Sequence, residues 1–447
     1  MAELQPDPAA SGSTTAPRSG ASGRRAATSR GRRRRPWTLR ALALLAGLLV
    51  PLGCLEALLW TLPVYDPPVR LAVNEENPVL RFEPHQEFVW SRGWDFSMVN
   101  AGRTNNYGFV SDFDYDPDAE EPLLAVIGDS YVEAAMVPFG QTCAGRLARN
   151  LAGTARVYPF GVSGSSLSQY LAFAAYARDT FRPGGLAVVI IDNDYDESLL
   201  KRRPVSGFHY FVEGRDGRLH LERIDFDRTL PQRLVRASAL ARYFAGNADV
   251  RYAGEQLRRG LATRWEALFG GEQQAEPARV AGTRELRPGQ VGGNGEGEWP
   301  STRGAEREPA SVAGDAGAEA MRVADSKRAV DAFLDRLPEA SGLDPERIVF
   351  VVDGLRPQLY QEDQLSEMAG SFRDVMRRYF LAQADRRGFA TADLQPAMVE
   401  HYRVHNEQFE SAQDFHWNVL GHELCLDAFV RSAVVGGFPA PGEPGAG

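Results

Sequence analysis

Leu123-Leu124-Ala125-Val126-Ile127-Gly128-Asp129-Ser130 is the stretch on which the reading of this sequence turns. Five consecutive apolar residues without polar alternation are what a strand buried on both faces of a parallel sheet requires, and the run then breaks at Gly-Asp-Ser just ahead of helical residues. Four more short apolar runs follow, at Arg156–Gly161, Leu186–Asp192, Arg347–Asp353 and Gly388–Leu394. Helical patterns at Gln141–Leu151, Ser166–Phe181, Met321–Leu337, Gln364–Asp385 and Val419–Val435 alternate with them. Strand and helix in alternation predict a doubly wound α/β domain with a five-stranded parallel sheet, here over residues 106–438.

The alternation fails between about 205 and 325, which reads as an insertion within that one domain. Phe208–Ile224 carries Gly-Arg-Asp-Gly between two alternating arms and predicts a β-hairpin. Residues 271–318 are rich in Gly, Glu, Ala and Arg, poor in aromatics, and are expected to be disordered. The Pro/Gly-rich tail 439–447 is expected to be loose.

The chain has 447 residues, 43% hydrophobic and 24% charged, enough for a sizeable core. Its formal charge of −9 conceals an asymmetry: the first 40 residues hold nine Arg against two acids, so the remainder carries −16. A nucleic-acid partner for the main body is therefore disfavoured. Cys54, Cys143 and Cys425 are too few and too dispersed for a disulfide framework or a thiolate zinc site.

Residues 1–37 read as a disordered, basic cytoplasmic tail ending in Arg32-Arg33-Arg34-Arg35. Residues 38–62 form a transmembrane signal anchor, apolar except for Arg40 near its start and Glu56, which is placed near the outer interface. Arginines before the span and acids after it put the following domain outside: a single pass through the inner (cytoplasmic) membrane, with the domain on the periplasmic or extracellular side. An uncleaved anchor is preferred to a cleaved signal, and lipidation at Gly53-Cys54 is disfavoured by Pro51. Residues 63–105, rich in Pro, Asn and Glu with no clear period, read as a stalk or irregular cover.

In an open parallel sheet, ligands bind beyond the carboxyl ends of the strands. The first strand delivers Ser130 to a strand-to-helix turn with backbone N–H groups nearby. The second ends in Phe160-Gly161-Val162-Ser163-Gly164-Ser165 and the third in Asp192-Asn193-Asp194, so a glycine N–H and an asparagine amide can join the Ser130 N–H around an oxyanion. Asp414-Phe415-His416-Trp417-Asn418, ahead of the last helix, supplies a base in His416 and a group to orient it in Asp414. Each residue also has a plainer reading. Ser130 also suits a helix N-cap, Gly164 a turn glycine and Asn193 a loop cap, though the four blocks together favour the functional roles. Ser163 reads as structural. His401 and His405, four apart, fit a solvated helix face better than a metal site; His422 reads as packing or capping, and Trp417 as a core aromatic before a sugar-stacking one.

Four blocks in this order resemble the SGNH (GDSL-like) hydrolase superfamily of serine esterases and acyltransferases over about 107–435, less the insertion. The resemblance implies a flavodoxin-like three-layer sandwich, with Ser130 as nucleophile, Ser130, Gly164 and Asn193 as the oxyanion hole, and His416 as base. It departs at the acid, which in most of the superfamily lies three residues before the histidine; that position is Gln413 here, and Asp414 is two before. The Asp-x-His-Trp form, the anchor and the segment Asn106-Tyr107-Gly108-Phe109 are similar to the branch of alginate and exopolysaccharide O-acetylation proteins. That resemblance implies an acyl-serine intermediate, an ester or glycan substrate, no metal and no organic cofactor, and a membrane-bound acyltransferase as partner. Three functions fit: adding or removing small acyl groups on an extracytoplasmic polysaccharide, a general carboxylesterase or lipase, and an inactive adaptor in a polysaccharide-modification complex.

Overall fold

The computed structural model describes residues 37–248, 315–356, 358–411 and 414–438. Residues 1–36 of the expected tail 1–37, the expected tail 439–447, and 271–314 of the expected disordered stretch lie outside these residues; Trp37 begins a helix, and 315–318, also expected to be disordered, form the first turn of a long one. The chain divides into two units, 1–54 and 55–447. The helix α1 (Trp37–Leu59) begins in the first and ends in the second. Its 23 residues are long and apolar enough to cross a membrane.

In the second unit, five strands form one parallel sheet: β3 (Leu123–Gly128), β4 (Arg156–Gly161), β5 (Gly185–Ile190), β8 (Ile348–Val352) and β9 (Ala390–Asp393). Their spatial order is β4-β3-β5-β8-β9, with every neighbouring pair parallel. Counted among themselves the strands run 2-1-3-4-5, the flavodoxin-like order, whose switch point lies between β3 and β5. All five expected strands are present, each within two residues of its expected ends.

Alternate side chains of these strands feed two cores. On one face Ala125, Ile127, Val188 and Phe350 pack with Tyr170 and Phe173 of α4 (Leu167–Phe181), Phe333 of α8 (Asp315–Ser341) and Phe380 of α10 (Phe372–Arg386). On the other, Leu124, Val126, Val189 and Val351 pack with Leu147 of α3 (Cys143–Asn150) and Cys425 and Phe429 of α12 (Val419–Val430). Burial on both faces explains why the runs lack alternation. The result is a three-layer α/β/α sandwich.

Residues 63–105 are more regular than their sequence suggests. They hold an antiparallel hairpin, β1 (Glu87–Arg92) and β2 (Met98–Arg103), whose Phe88 and Trp90 belong to the first core together with Phe82. The alternation was masked because Val89, between the two aromatics, is apolar as well, while Ser91 is polar and fully buried. In the insertion, β6 (His209–Glu213) and β7 (Leu219–Arg223) form the expected hairpin, followed by α6 (Leu230–Arg236) and α7 (Ala239–Arg242).

Gly128 and Gly161 stand opposite each other at the ends of β3 and β4. The short helix α2 (Ser130–Glu133) lies directly on both: a Cβ on Gly128 would come within 2.4 Å of Val132 Cγ2, and one on Gly161 within 2.5 Å of the Glu133 backbone nitrogen. The pair therefore sets how closely Ser130 approaches the sheet. Gly161→Ala is expected to cost about 2 kcal/mol in denaturant-induced unfolding, the range for overpacking a fixed backbone. An unchanged midpoint would show that α2 yields freely.

Candidate active site

Asp129 leaves β3 and caps α2, its Oδ1 accepting the Tyr131 N–H at 3.0 Å. Ser130 is thereby the first helical residue, buried, with its own N–H among those that have no acceptor within a helix. The tight end of α2, with Ala134 at φ 46°, returns the chain after a single turn.

Asp414 and His416 lie on β11 (Asp414–Trp417), paired with β10 (Glu410–Ser411). Two residues apart on a strand, their side chains share one face. The Asp414 carboxylate consequently accepts both the His416 backbone N–H, at 3.0 Å, and the ring Nδ1–H of the same residue. With Nδ1 so engaged, Nε2 is the acceptor, and it stands 2.7 Å from Ser130 Oγ. Serine, histidine and aspartate thus form one hydrogen-bonded chain across residues 286 apart in sequence.

The charges follow. Burial alone would raise the Asp414 carboxyl, but the imidazole beside it holds it down at about 2. Burial alone would depress His416; Asp414 outweighs it and raises the imidazole above its ordinary value. The two other carboxyls near Ser130 go the opposite way. Burial pushes Asp129 up to about 6 against the Tyr131 N–H, and Glu133 up to about 7 against the Ser163 N–H, which donates to Glu133 Oε2 at 2.5 Å. Among the described residues Glu133 Oε1, which is buried, has no hydrogen-bond partner, which adds to the cost of ionising the group.

Gly164 sits at φ +81°, open to glycine at little cost. Its carbonyl accepts from Arg203 Nη1 at 2.6 Å, and the same nitrogen reaches Glu197 Oε2 at 2.8 Å. That carboxylate oxygen also accepts from Asn193 Nδ2 at 3.2 Å. The structure therefore joins Gly164 and Asn193 through Arg203 and Glu197, with Asn193 starting α5 (Asp194–Glu197). Nothing in the sequence marked Arg203 or Glu197, because their meaning lies in contacts between separate loops.

Arg356 was equally silent. Buried, it donates to Asp353 at 2.6 Å, Tyr131 Oη at 2.8 Å, the Phe415 carbonyl at 3.0 Å and Glu410 at 3.3 Å. Trp417, fully buried, gives its indole N–H to Asp353 at 3.0 Å, and His422 packs edge-on against its ring. His401 and His405 have ring centroids 4.5 Å apart, and His401 meets Glu407 at 3.1 Å. Among the described residues no group of three or more His, Cys, Asp or Glu side chains could hold a metal.

No family model matches the chain, and no curated protein matches it. Among solved structures it is similar to the lipase/acylhydrolase from Enterococcus faecalis, at 10% identity and a TM-score of 0.34 over 72% of this chain and 100% of that one. It is similar also to TesA, at 11% identity and 0.32 over 69% and 97%, and to a two-domain esterase active on acetylated mannans, at 8% identity and 0.30 over 72% and 53%. Likeness at this level assigns no reaction, which has to be argued from the site.

Two titrations follow. The His416 ring, followed by NMR, is expected to titrate above the ordinary value of 6.5 and to move down in Asp414→Asn, where the attraction that overcomes burial is gone. Glu133 has a folded-state pKa above its ordinary 4.5, so ionisation disfavours the fold increasingly from about there up to about 7. Glu133→Gln should raise the melting temperature at pH 8 relative to the parent and change it far less at pH 4.

Proposed function

We propose that this protein is a membrane-anchored serine esterase or O-acyltransferase of the SGNH type, working through an acyl-serine intermediate. The observation that carries the reading is the Ser130–His416–Asp414 chain, with Nε2 at 2.7 Å from Oγ at the carboxyl end of β3. His416 takes the Ser130 proton as Oγ attacks an ester carbonyl, and Asp414 stabilises the imidazolium that forms. The Ser130 N–H, the Gly164 N–H and the Asn193 amide are the donors assigned to the oxyanion, each contributing about 3–4 kcal/mol to the transition state. The alcohol departs with the proton from His416, leaving acyl-Ser130. Water or a sugar hydroxyl, deprotonated by His416, then releases the acyl group.

The acyl group is read as acetyl and the acceptor or donor as an extracytoplasmic polysaccharide. The Asp414-Phe415-His416-Trp417 motif together with an apolar helix ahead of the domain supports this reading. A cytoplasmic acyl donor would require a membrane-bound acyltransferase as partner.

The test is release of acetate from a small activated ester by the purified full chain in detergent. Ser130→Ala and His416→Ala are each expected to lower kcat by at least about 10³-fold with little change in folding. Because the base must be neutral, activity in the parent should rise with pH through an apparent pKa above 6.5, as the raised His416 dictates. A folded parent without activity would favour the adaptor role, and activity surviving in Ser130→Ala would exclude an acyl-serine at this position.

A further inference from the structure

The globular unit carries an aromatic surface where α1 ends. Trp60 and Leu62, directly after the helix, are 58% and 39% exposed; Trp94, at the tip of the β1–β2 hairpin, is 74% exposed and Phe244 is 44% exposed. These are not scattered side chains. Leu59, the last residue of α1, is buried with Val64 and Ala239 in a small cluster of its own, against which Phe96 of the same hairpin tip and Tyr243 pack. The Phe96 and Tyr243 rings lie 5.7 Å apart, Tyr243 stacks edge-on with Phe244 at 5.6 Å, and the Tyr243 hydroxyl donates to the Trp94 carbonyl at 2.7 Å. Phe96 adopts φ 58°, a conformation unfavourable for a bulky residue, and it is held there at the tip of the hairpin.

Glu56 fixes this surface to the end of the helix. In the last turn of α1, its carboxylate accepts from the backbone N–H groups of Ala239 and Leu240, each at 2.8 Å, from Ser238 Oγ at 2.9 Å and from Trp60 Nε1 at 2.9 Å. Arg242 lies under the Trp60 ring, 4.9 Å from its centroid, and pairs with Asp66 at 3.1 Å. A carboxylate at the end of an apolar helix thus has four donors, and the aromatic segments on either side of it are rigidly placed.

We propose that this patch, formed by Trp60, Leu62, Trp94, Phe96, Tyr243 and Phe244, is seated in the headgroup region of a lipid bilayer, so that the domain rests on the membrane surface. The inference rests on the reading of α1 as a membrane span. Continuity decides for lipid over a protein partner: the patch begins at the residue after the apolar helix and shares a packed cluster with that helix's last residue. Its composition agrees, since Trp and Tyr are enriched at the membrane–water boundary. The hairpin that carries Trp94 and Phe96 also reaches the proposed active site through its strands. Arg92, two residues before Trp94, lies over the Trp90 and Tyr65 rings and donates to the Gly246 carbonyl at 3.1 Å. It is also among the charges acting on Asp414 and His416, after burial and their mutual attraction. Asn100 of β2 donates to the Ala135 carbonyl, just after α2, at 2.8 Å. The hairpin that would touch lipid is therefore braced against the Ser130 turn, and the substrate class this favours is an ester presented at the membrane surface.

The test uses the full chain with Cys54→Ser, which leaves only the two buried cysteines, reconstituted in phosphatidylcholine vesicles. Single cysteines labelled with an environment-sensitive fluorophore are placed at Trp94, Phe244, Leu45 within α1, and Glu346 at the amino end of β8. Lipids brominated near the top of their acyl chains should quench the labels at 94 and 244 about twofold, the response of groups held roughly 5–10 Å into the boundary, and leave 346 unaffected. Quenching at 45 without quenching at 94 and 244 would overturn the docking and leave the anchor standing. No quenching at 45 would overturn the anchor itself, and the docking with it. Labels at 94 and 244 shielded from aqueous iodide yet unquenched by lipid would mean that protein covers the patch, again against the proposal. A second measurement needs no new cysteine: quenching of intrinsic fluorescence by the same lipids should fall in Trp94→Phe.

Discussion

A buried guanidinium, together with the Tyr131 hydroxyl that donates to the Phe415 carbonyl at 3.2 Å, joins the two halves of the site. Ser130 is placed by β3 and α2, His416 by a strand pair near the other end of the chain, and no element of the sheet connects them directly. Arg356 does so by binding Tyr131, the neighbour of Ser130, and the Phe415 carbonyl, the neighbour of His416, while Asp353 and Glu410 balance its charge. Removing one partner from a buried ionic group of this kind costs about 3–5 kcal/mol, because the remaining charges lose their compensation. The distance from Ser130 Oγ to His416 Nε2 is thus maintained by side chains that touch neither atom.

Asp414 is held below its ordinary value, whereas burial raises Asp129, Glu133, Asp194 and Glu197. Asp414 escapes because it meets an imidazole and a backbone N–H from the same residue. Environments that push neighbouring carboxyls apart in pKa assign them different tasks. Asp129 accordingly caps α2 and Glu133 holds the Ser163 N–H, while Asp414 carries the main charge that faces His416.

The sheet was legible because each strand is buried on both faces and so is written as an unbroken apolar run, and the site was legible where it lies at strand ends. The two-residue spacing of Asp414 and His416, which looked like a departure, has a local reason: on a strand, residues two apart share a face, and the short aspartate side chain then reaches both the backbone nitrogen and the ring Nδ1 of the histidine. Arg356, Arg203 and Glu197 were not legible. A buried charge differs from an exposed one only through its partners, and theirs come from loops with no sequence relation to one another. The β1–β2 hairpin was missed for the reason seen in Val89 and Ser91, whose polarity does not follow their burial.

The insertion is part of the wall of the site and not an appendage to it. It leaves the sheet after α5, and Arg203, just ahead of it, holds the Gly164 carbonyl and the Glu197 carboxylate that engages Asn193. Its hairpin returns to the amino end of α4, a few residues past Gly164, where Ser168 Oγ donates to the His209 carbonyl at 2.8 Å and the His209 N–H to Gln169 Oε1 at 2.9 Å. Farther on, the start of α7, with its cap Ser238, carries the donors that hold Glu56. One inserted segment is therefore in contact with the loops of both candidate oxyanion donors and with the end of the apolar helix. The insertion thus packs against the loops of both candidate oxyanion donors, whereas Ser130 is held by β3, α2 and the Arg356 contact to Tyr131.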